Sequence, residues 1–253
     1  MLFRSQTTWV YGNIQYAIDQ ATAGNTLNAS AHTFAENVNA HTSVILNGAN
    51  AAISCSGSRG TETVIDGGTG TAVSVLANGV TVAGFTINGA TGVSDASFEG
   101  LVLKNNKINA IANGISVSGL ATTATDGLTI QDNCIALSAQ LAGSNPTTGI
   151  FLNDISGSAA ATISGNNLTG GYYGYMIYAL NTTPKTTING GTISGLMQGI
   201  AAINVNPFTG TTYAPSNIGI SNISMSGFTG DYPASTARNF HAGVYTFTGG
   251  SNA

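Results

Sequence analysis

Charge is what this sequence lacks most. Asp, Glu, Lys and Arg together make up 6% of its 253 residues, against about 25% in an ordinary soluble protein. The Lys and Arg residues number six and are scattered, so no basic footprint exists and nucleic acid is excluded as a partner. Long apolar runs are absent as well. No stretch approaches the roughly 18 residues that a membrane helix needs, so insertion into a membrane is not expected. Met1 to Trp9 contain Arg4 but no following apolar stretch, so they do not form a signal peptide. Either a signal has been removed or the chain is a piece of something longer. The two cysteines, Cys55 and Cys134, give no metal-ligand pattern, and nothing in their spacing indicates or excludes a disulfide. His32, His41 and His241 are each isolated in sequence and read as surface or satisfied residues rather than ligands. No metal and no cofactor are expected.

What fills the composition is Gly, Ala, Ser, Thr and Asn around a 42% hydrophobic fraction that recurs in register. Self-similarity is the informative signal. Gly79-Val80-Thr81-Val82 leading to Ile87 aligns without gaps on Gly100-Leu101-Val102-Leu103 to Ile108, and on Gly127-Leu128-Thr129-Ile130 to Ile135. Shorter copies end at Leu168, Ile193 and Met225. A second set interleaves with the first. It runs Ala72-Val73-Ser74-Val75, Gly114-Ile115-Ser116-Val117, Gly149-Ile150-Phe151-Leu152, Gly174-Tyr175-Met176-Ile177, Gly199-Ile200-Ala201-Ala202 and Gly243-Val244-Tyr245-Thr246. Both sets have period two, the signature of strands with one face in and one out. Successive copies begin roughly 20 to 35 residues apart, the length of one turn of a β-solenoid.

The expectation is therefore an all-β chain: a right-handed parallel β-helix, a three-sheet solenoid with coils from about 27 to 247, in a single domain spanning 1–253. Val82, Leu103, Ile130, Ile163, Ile188 and Ile220 should form one inward column. The glycines that open many strands suit corners where φ is positive. Ile14, Ala17, Ile18 and Ala21 repeat at helical spacing after Asn13, and Gly24 follows as a C′ residue, so 13–24 reads as an amphipathic helix capping the solenoid.

These residues carry a resemblance. Ile14-Gln15-Tyr16-Ala17-Ile18-Asp19, Ala23-Gly24-Asn25-Thr26-Leu27, Thr33-Phe34 and Glu36-Asn37-Val38 resemble the opening of pectin-lyase-like β-helix proteins, and Glu62-Thr63-Val64-Ile65-Asp66-Gly67 continues the likeness. That group includes pectin methylesterases, polysaccharide lyases and bacterial surface proteins. The resemblance implies the fold and the N-terminal cap, not an activity. The paired Asp of the esterases has no counterpart in Gly149-Ile150-Phe151-Leu152-Asn153-Asp154, and no Gly-His-Gly segment of a polygalacturonase occurs.

Three groups of residues remain as candidates. Asn106, Asn133 and Asn166 share one aligned position and read as a structural Asn ladder, with turn propensity as the alternative. Lys104, Asp126 and Asp132 are the candidates for acid–base catalysis on a uronic-acid polymer; solubility of a Ser/Thr-rich surface is the simpler reading. Phe151, Met176, Tyr178, Tyr245 and Phe247 are outward positions that turn apolar toward the C-terminal end. They form either a glycan or interface face, or a surface covered by the segments around 206–216 and 230–241. The functional expectation is a non-catalytic extracellular or cell-surface module, structural and adhesin-like. Its partners would be polysaccharide or another surface protein. The alternative is a polysaccharide-active lyase, esterase or epimerase.

Overall fold

The computed structural model describes residues 3–4, 12–120, 127–138, 146–155, 161–180, 186–196, 198–203, 218–228 and 242–247. They form an all-β structure of mostly parallel strands in stacked sheets, with one short helix. Each pass of the chain adds one strand to each of three ladders. The first ladder is a nine-stranded sheet. It begins with Phe3–Arg4, antiparallel to Asn25–Ala29, and continues in parallel through Val44–Asn47, Thr81–Ala83, Val102–Lys104, Thr129–Gln131, Thr162–Ser164, Thr186–Asn189 and Ile218–Ser221. The second and third ladders merge into a 14-stranded sheet, because Phe85–Ala96 and Lys107–Leu120 run through both.

The register follows the apolar period. Leu27, Leu46, Val82, Leu103, Ile130, Ile163, Ile188 and Ile220 pair in sequence down the first ladder. In the second, Phe34, Ile65, Ile87, Ile108, Ile135, Leu168, Ile193 and Met225 do the same. Most of these side chains are fully buried and join one core. Each such side chain is worth about 1.5–3 kcal/mol, which only stacking on the neighbouring pass secures. Ile220 departs from the expected burial. It keeps the register but is 38% exposed, since no described strand stacks beyond it. The passes through Leu27 and Leu46 belong to the same column, although their linking segments differ too much for the repeat to be read there.

The glycines that enter the third ladder, each within its strand, have a different cause from the one expected. Gly92, Gly114, Gly149 and Gly174 do not have positive φ. Instead each lies under the glycine of the next pass. A Cβ on Gly114 would stand 2.6 Å from the Gly149 carbonyl oxygen, and one on Gly174 2.5 Å from that of Gly199. The passes approach too closely at this corner for any side chain.

The helix spans Ile14–Asp19 and ends in a C-cap at Gln20, so Gly24 lies beyond it and is not its C′ residue. Asn13 caps it as expected, its Oδ1 accepting the Tyr16 N–H at 2.8 Å. The Glu36 carboxylate adds a second cap, accepting the N–H groups of Ile14 and Gln15 at 2.8 and 3.0 Å. Ile14, Ala17 and Ile18 are buried, and the helix packs on the strands Asn25–Ala29 and Val38–Ala40.

Candidate functional site

The turn from the first to the second ladder is the single residue Gly84 on one pass and two residues long on the five passes that follow, and it organises several of the candidates. Its first residue has positive φ throughout: Gly84, Asn105, Asp132, Gly165, Gly190 and Asn222. Gly, Asn and Asp are the residues that tolerate this left-handed conformation. Asp132 therefore stands where a turn residue is required. A Cβ on Gly165 would collide with its carboxylate, so the side chain lies over the next pass. Lys104 precedes the turn on the neighbouring pass, in register with Gln131, and is exposed. Asp126 lies outside the described residues.

The second turn residue points inward. Asn106, Asn133 and Asn166 are buried in one column. Asn133 Oδ1 accepts both the backbone N–H and the side-chain Nδ2 of Asn106, each at 3.0 Å. Asn166 Oδ1 accepts the same pair from Asn133 at 3.0 Å. The remaining amide protons go to backbone carbonyls, from Asn106 to Val82, Asn133 to Leu103 and Asn166 to Ile130, at 2.9–3.0 Å. Phe85 N–H donates to Asn106 Oδ1 at the head of the column. At its foot stands Gly191, where a side chain would strike the Asn166 backbone.

A strap made of residues 48–62 crosses this turn ridge. Cys55 in the strap is joined to Cys134 in the second ladder, with Cα atoms 5.4 Å apart. Its N–H also donates to the Asp132 carbonyl at 3.3 Å. Asn105 Nδ2 donates to the Ala51 carbonyl at 2.8 Å. The Arg59 guanidinium, 2% exposed, forms a two-point contact with Glu62 at 2.8–2.9 Å and reaches the Asn105 carbonyl. Lys107 Nζ lies 3.2 Å from Glu62. Hydrogen bonding from Arg59 outweighs burial and holds the Glu62 carboxyl down at about 2. Lys107 is thus engaged in a clasp with Glu62 and Arg59, while the candidate Lys104 is left outside it.

The third-ladder face is only partly described. Ser74, Ser94, Ser116, Phe151, Met176, Ala201 and Tyr245 occupy one register position on successive passes, and Tyr178 and Phe247 share another with Asn153 and Ile203. Phe151 and Met176 are half-buried and Ala201 is buried. The side chains of Tyr178, Tyr245 and Phe247, and the segments 204–217 and 229–241, lie outside the described residues. Nearby, the Tyr172 and Tyr173 rings stand 4.5 Å apart and are partly buried.

Two residues outside the three candidate groups stand inside the core. Asp95 occupies the column of Ala40, Val75, Val117, Leu152 and Ile177. It is 1% exposed. Its Oδ1 accepts the Phe98 N–H at 3.1 Å, and its Oδ2 has no partner. Burial pushes its carboxyl up to about 7, only partly offset by that hydrogen bond. The clue was available: Val93-Ser94-Asp95 repeats Val73-Ser74-Val75 and Ile115-Ser116-Val117 with Asp in place of Val. Tyr175 sits between Ile150 and Ile200, 1% exposed, and its hydroxyl is hydrogen-bonded to the Asn166 side chain. Burial raises its ionisation well above the usual phenol range.

Among the described residues no group of His, Cys, Asp or Glu could hold a metal ion, and no helix is long and apolar enough to cross a membrane. His41 pairs with Asp19 at 2.9 Å, lowering the Asp19 carboxyl, and His32 meets the Phe34 ring edge-on. His241 is outside the described residues. The stacked parallel ladders define the class of architecture. No family model, curated protein or solved structure matches the chain.

Proposed function

We propose that the chain is a non-catalytic extracellular module, built as a right-handed three-sheet β-helix of the pectin-lyase-like kind. Its outer surface would meet polysaccharide or another surface protein. The observation that carries this reading is the Cys55–Cys134 staple across the strap and the turn ridge. Such a bond persists in oxidising compartments and is kept reduced in the cytosol. The family likeness itself rests on the residues of the N-terminal half. Low charge and stacked Ser, Thr and Asn on the outer faces suit a rod that displays itself to hydroxyl-rich surroundings.

The rival is a lyase, esterase or epimerase that uses Lys104 and Asp132, which neighbouring passes place on one ridge. One experiment separates the two. Chain secreted through an oxidising compartment is mapped under non-reducing conditions, then incubated with uronic-acid polymers. The module reading expects a Cys55–Cys134 peptide, retention on at least one polysaccharide and no unsaturated product. Turnover that vanishes when Lys104, Asp126 and Asp132 are all changed to Ala would establish the enzyme instead. Fully reduced thiols in the secreted, folded chain would remove the main support for an extracellular site.

A further inference from the structure

A cleft of about 390 Å³ opens on the outer corner between the second and third ladders. That volume lies in the range of small-ligand sites. Its walls come from adjacent passes, so their order is fixed by the register. Asn88, Asn109 and Ala136 form one outer row, and Gly89 and Leu137 belong to the next column in. At 4.8 Å per pass such a row extends over roughly 10 Å. The strand irregularity between Ala110 and Asn113 then inserts an extra residue against the preceding pass. A bulge of this kind re-aims a side chain. Here it turns out Ile111, which lines the cleft and is 53% exposed, as exposed as any large hydrophobic residue described.

The chemistry of the walls selects a ligand class. Asn109 Nδ2 donates to Asn88 Oδ1 at 2.9 Å. This bond fixes both amide planes and leaves Asn88 Nδ2 as a donor and Asn109 Oδ1 as an acceptor. No charged side chain lines the cleft, so neither an anion nor a cation is favoured. Glycine and alanine keep its surface flat, and Ile111 and Leu137 supply aliphatic contact. A flat, neutral molecule with hydroxyls on its edge and C–H groups on its face fits this set. One exposed isoleucine is too little apolar surface for a stable protein interface, which buries about 800 Å² per partner.

We propose that this cleft is a binding site for a short neutral saccharide, held by Asn88 and Asn109 and packed against Ile111. This deepens the proposed glycan contact but places it on a different face from Phe151 and Met176. The test is calorimetric titration of the whole chain with cellotriose, maltotriose and mannotriose, with trigalacturonate as the charged comparator. Asn109→Ala and Ala136→Trp alter only exposed positions, and urea unfolding checks that both still fold. At least one neutral trisaccharide should bind saturably, and each variant should weaken it about tenfold. Phe151→Ser should leave that binding unchanged. Three results would overturn the proposal: no saturable neutral binding, binding indifferent to Ala136→Trp, or a variant that alters only self-association. Should the first of these occur while trigalacturonate binding is lost with Phe151→Ser but kept with Ala136→Trp, the cleft falls and the module reading stands.

Discussion

Two sets of polar side chains enter the same apolar interior, and they are treated in opposite ways. The Asn106–Asn133–Asn166 column is buried, yet each inward amide meets both backbone and side-chain partners. Asp95 is equally buried, but one of its oxygens meets nothing. The column repeats with the ladder, so each Asn supplies what the previous one needs. Asp95 occurs on one pass only, between Val75 and Val117, neither of which offers a hydrogen bond. A polar group that repeats at the stacking period is an asset. One that appears singly is a liability whose cost depends on its charge.

The largest effect should come from breaking the satisfied set. Asn133→Ala removes the acceptor for Asn106 N–H and Nδ2 and the donor to the Leu103 carbonyl. At about 1–3 kcal/mol for each buried group left without a partner, a loss of roughly 3–5 kcal/mol is expected from urea unfolding. Loss below about 1 kcal/mol would mean that the column is turn propensity and no more.

Asp95 should respond with the opposite sign. Its folded carboxyl titrates near 7, and in the unfolded chain near 3.9. Between these values the folded state keeps a proton that the unfolded state has released, so stability falls as pH rises from about 4 to about 7. Its stabilising contribution is complete below about 4 and lost above about 7. Glu62 acts the other way, but its window lies below its unfolded value of 4.5. Asp95→Asn keeps the acceptor for Phe98 and removes the titration. Its advantage over the wild type should grow from near zero at pH 4 to a few kcal/mol at pH 7 and then level off. A difference independent of pH would show that the carboxyl is not confined as described.

A smaller effect tests how the column ends. Tyr175→Phe deletes the hydroxyl that meets Asn166 and should cost about 1 kcal/mol, with no change in register. The smallest effect is that of Asp132→Asn, with Asp132→Val as its contrast. Asp132→Asn keeps a residue that tolerates left-handed φ and should shift stability by less than about 0.5 kcal/mol, whereas Asp132→Val should cost about 1–3 kcal/mol. Equal effects of the two would show that the charge of Asp132, not its backbone, is what matters.

Much of this was legible in the chain itself. Period-two apolar alternation identified the columns from Val82 onward, because a strand with one buried face cannot slip by one residue without exposing it. The aligned Asn106, Asn133 and Asn166 and the helix start at Asn13 were legible for the same reason: each is a local pattern tied to a local geometry. The glycines of the third ladder were seen, but their cause was not. A close approach between passes leaves no mark on the φ preference of a single residue.

What the sequence determined by itself is the repeat, and with it the stacking of parallel strands into shared columns. Tertiary structure alone decided which residues from distant passes meet. It brought Cys55 to Cys134 across 79 residues, drew Lys107 into a clasp with Glu62 while leaving Lys104 outside, and turned Ile111 outward at a bulge beside Asn109. The physical reason is that periodicity fixes which face of a strand is buried. The lengths and paths of the segments between strands fix what lies against it, and those segments carry no period to read.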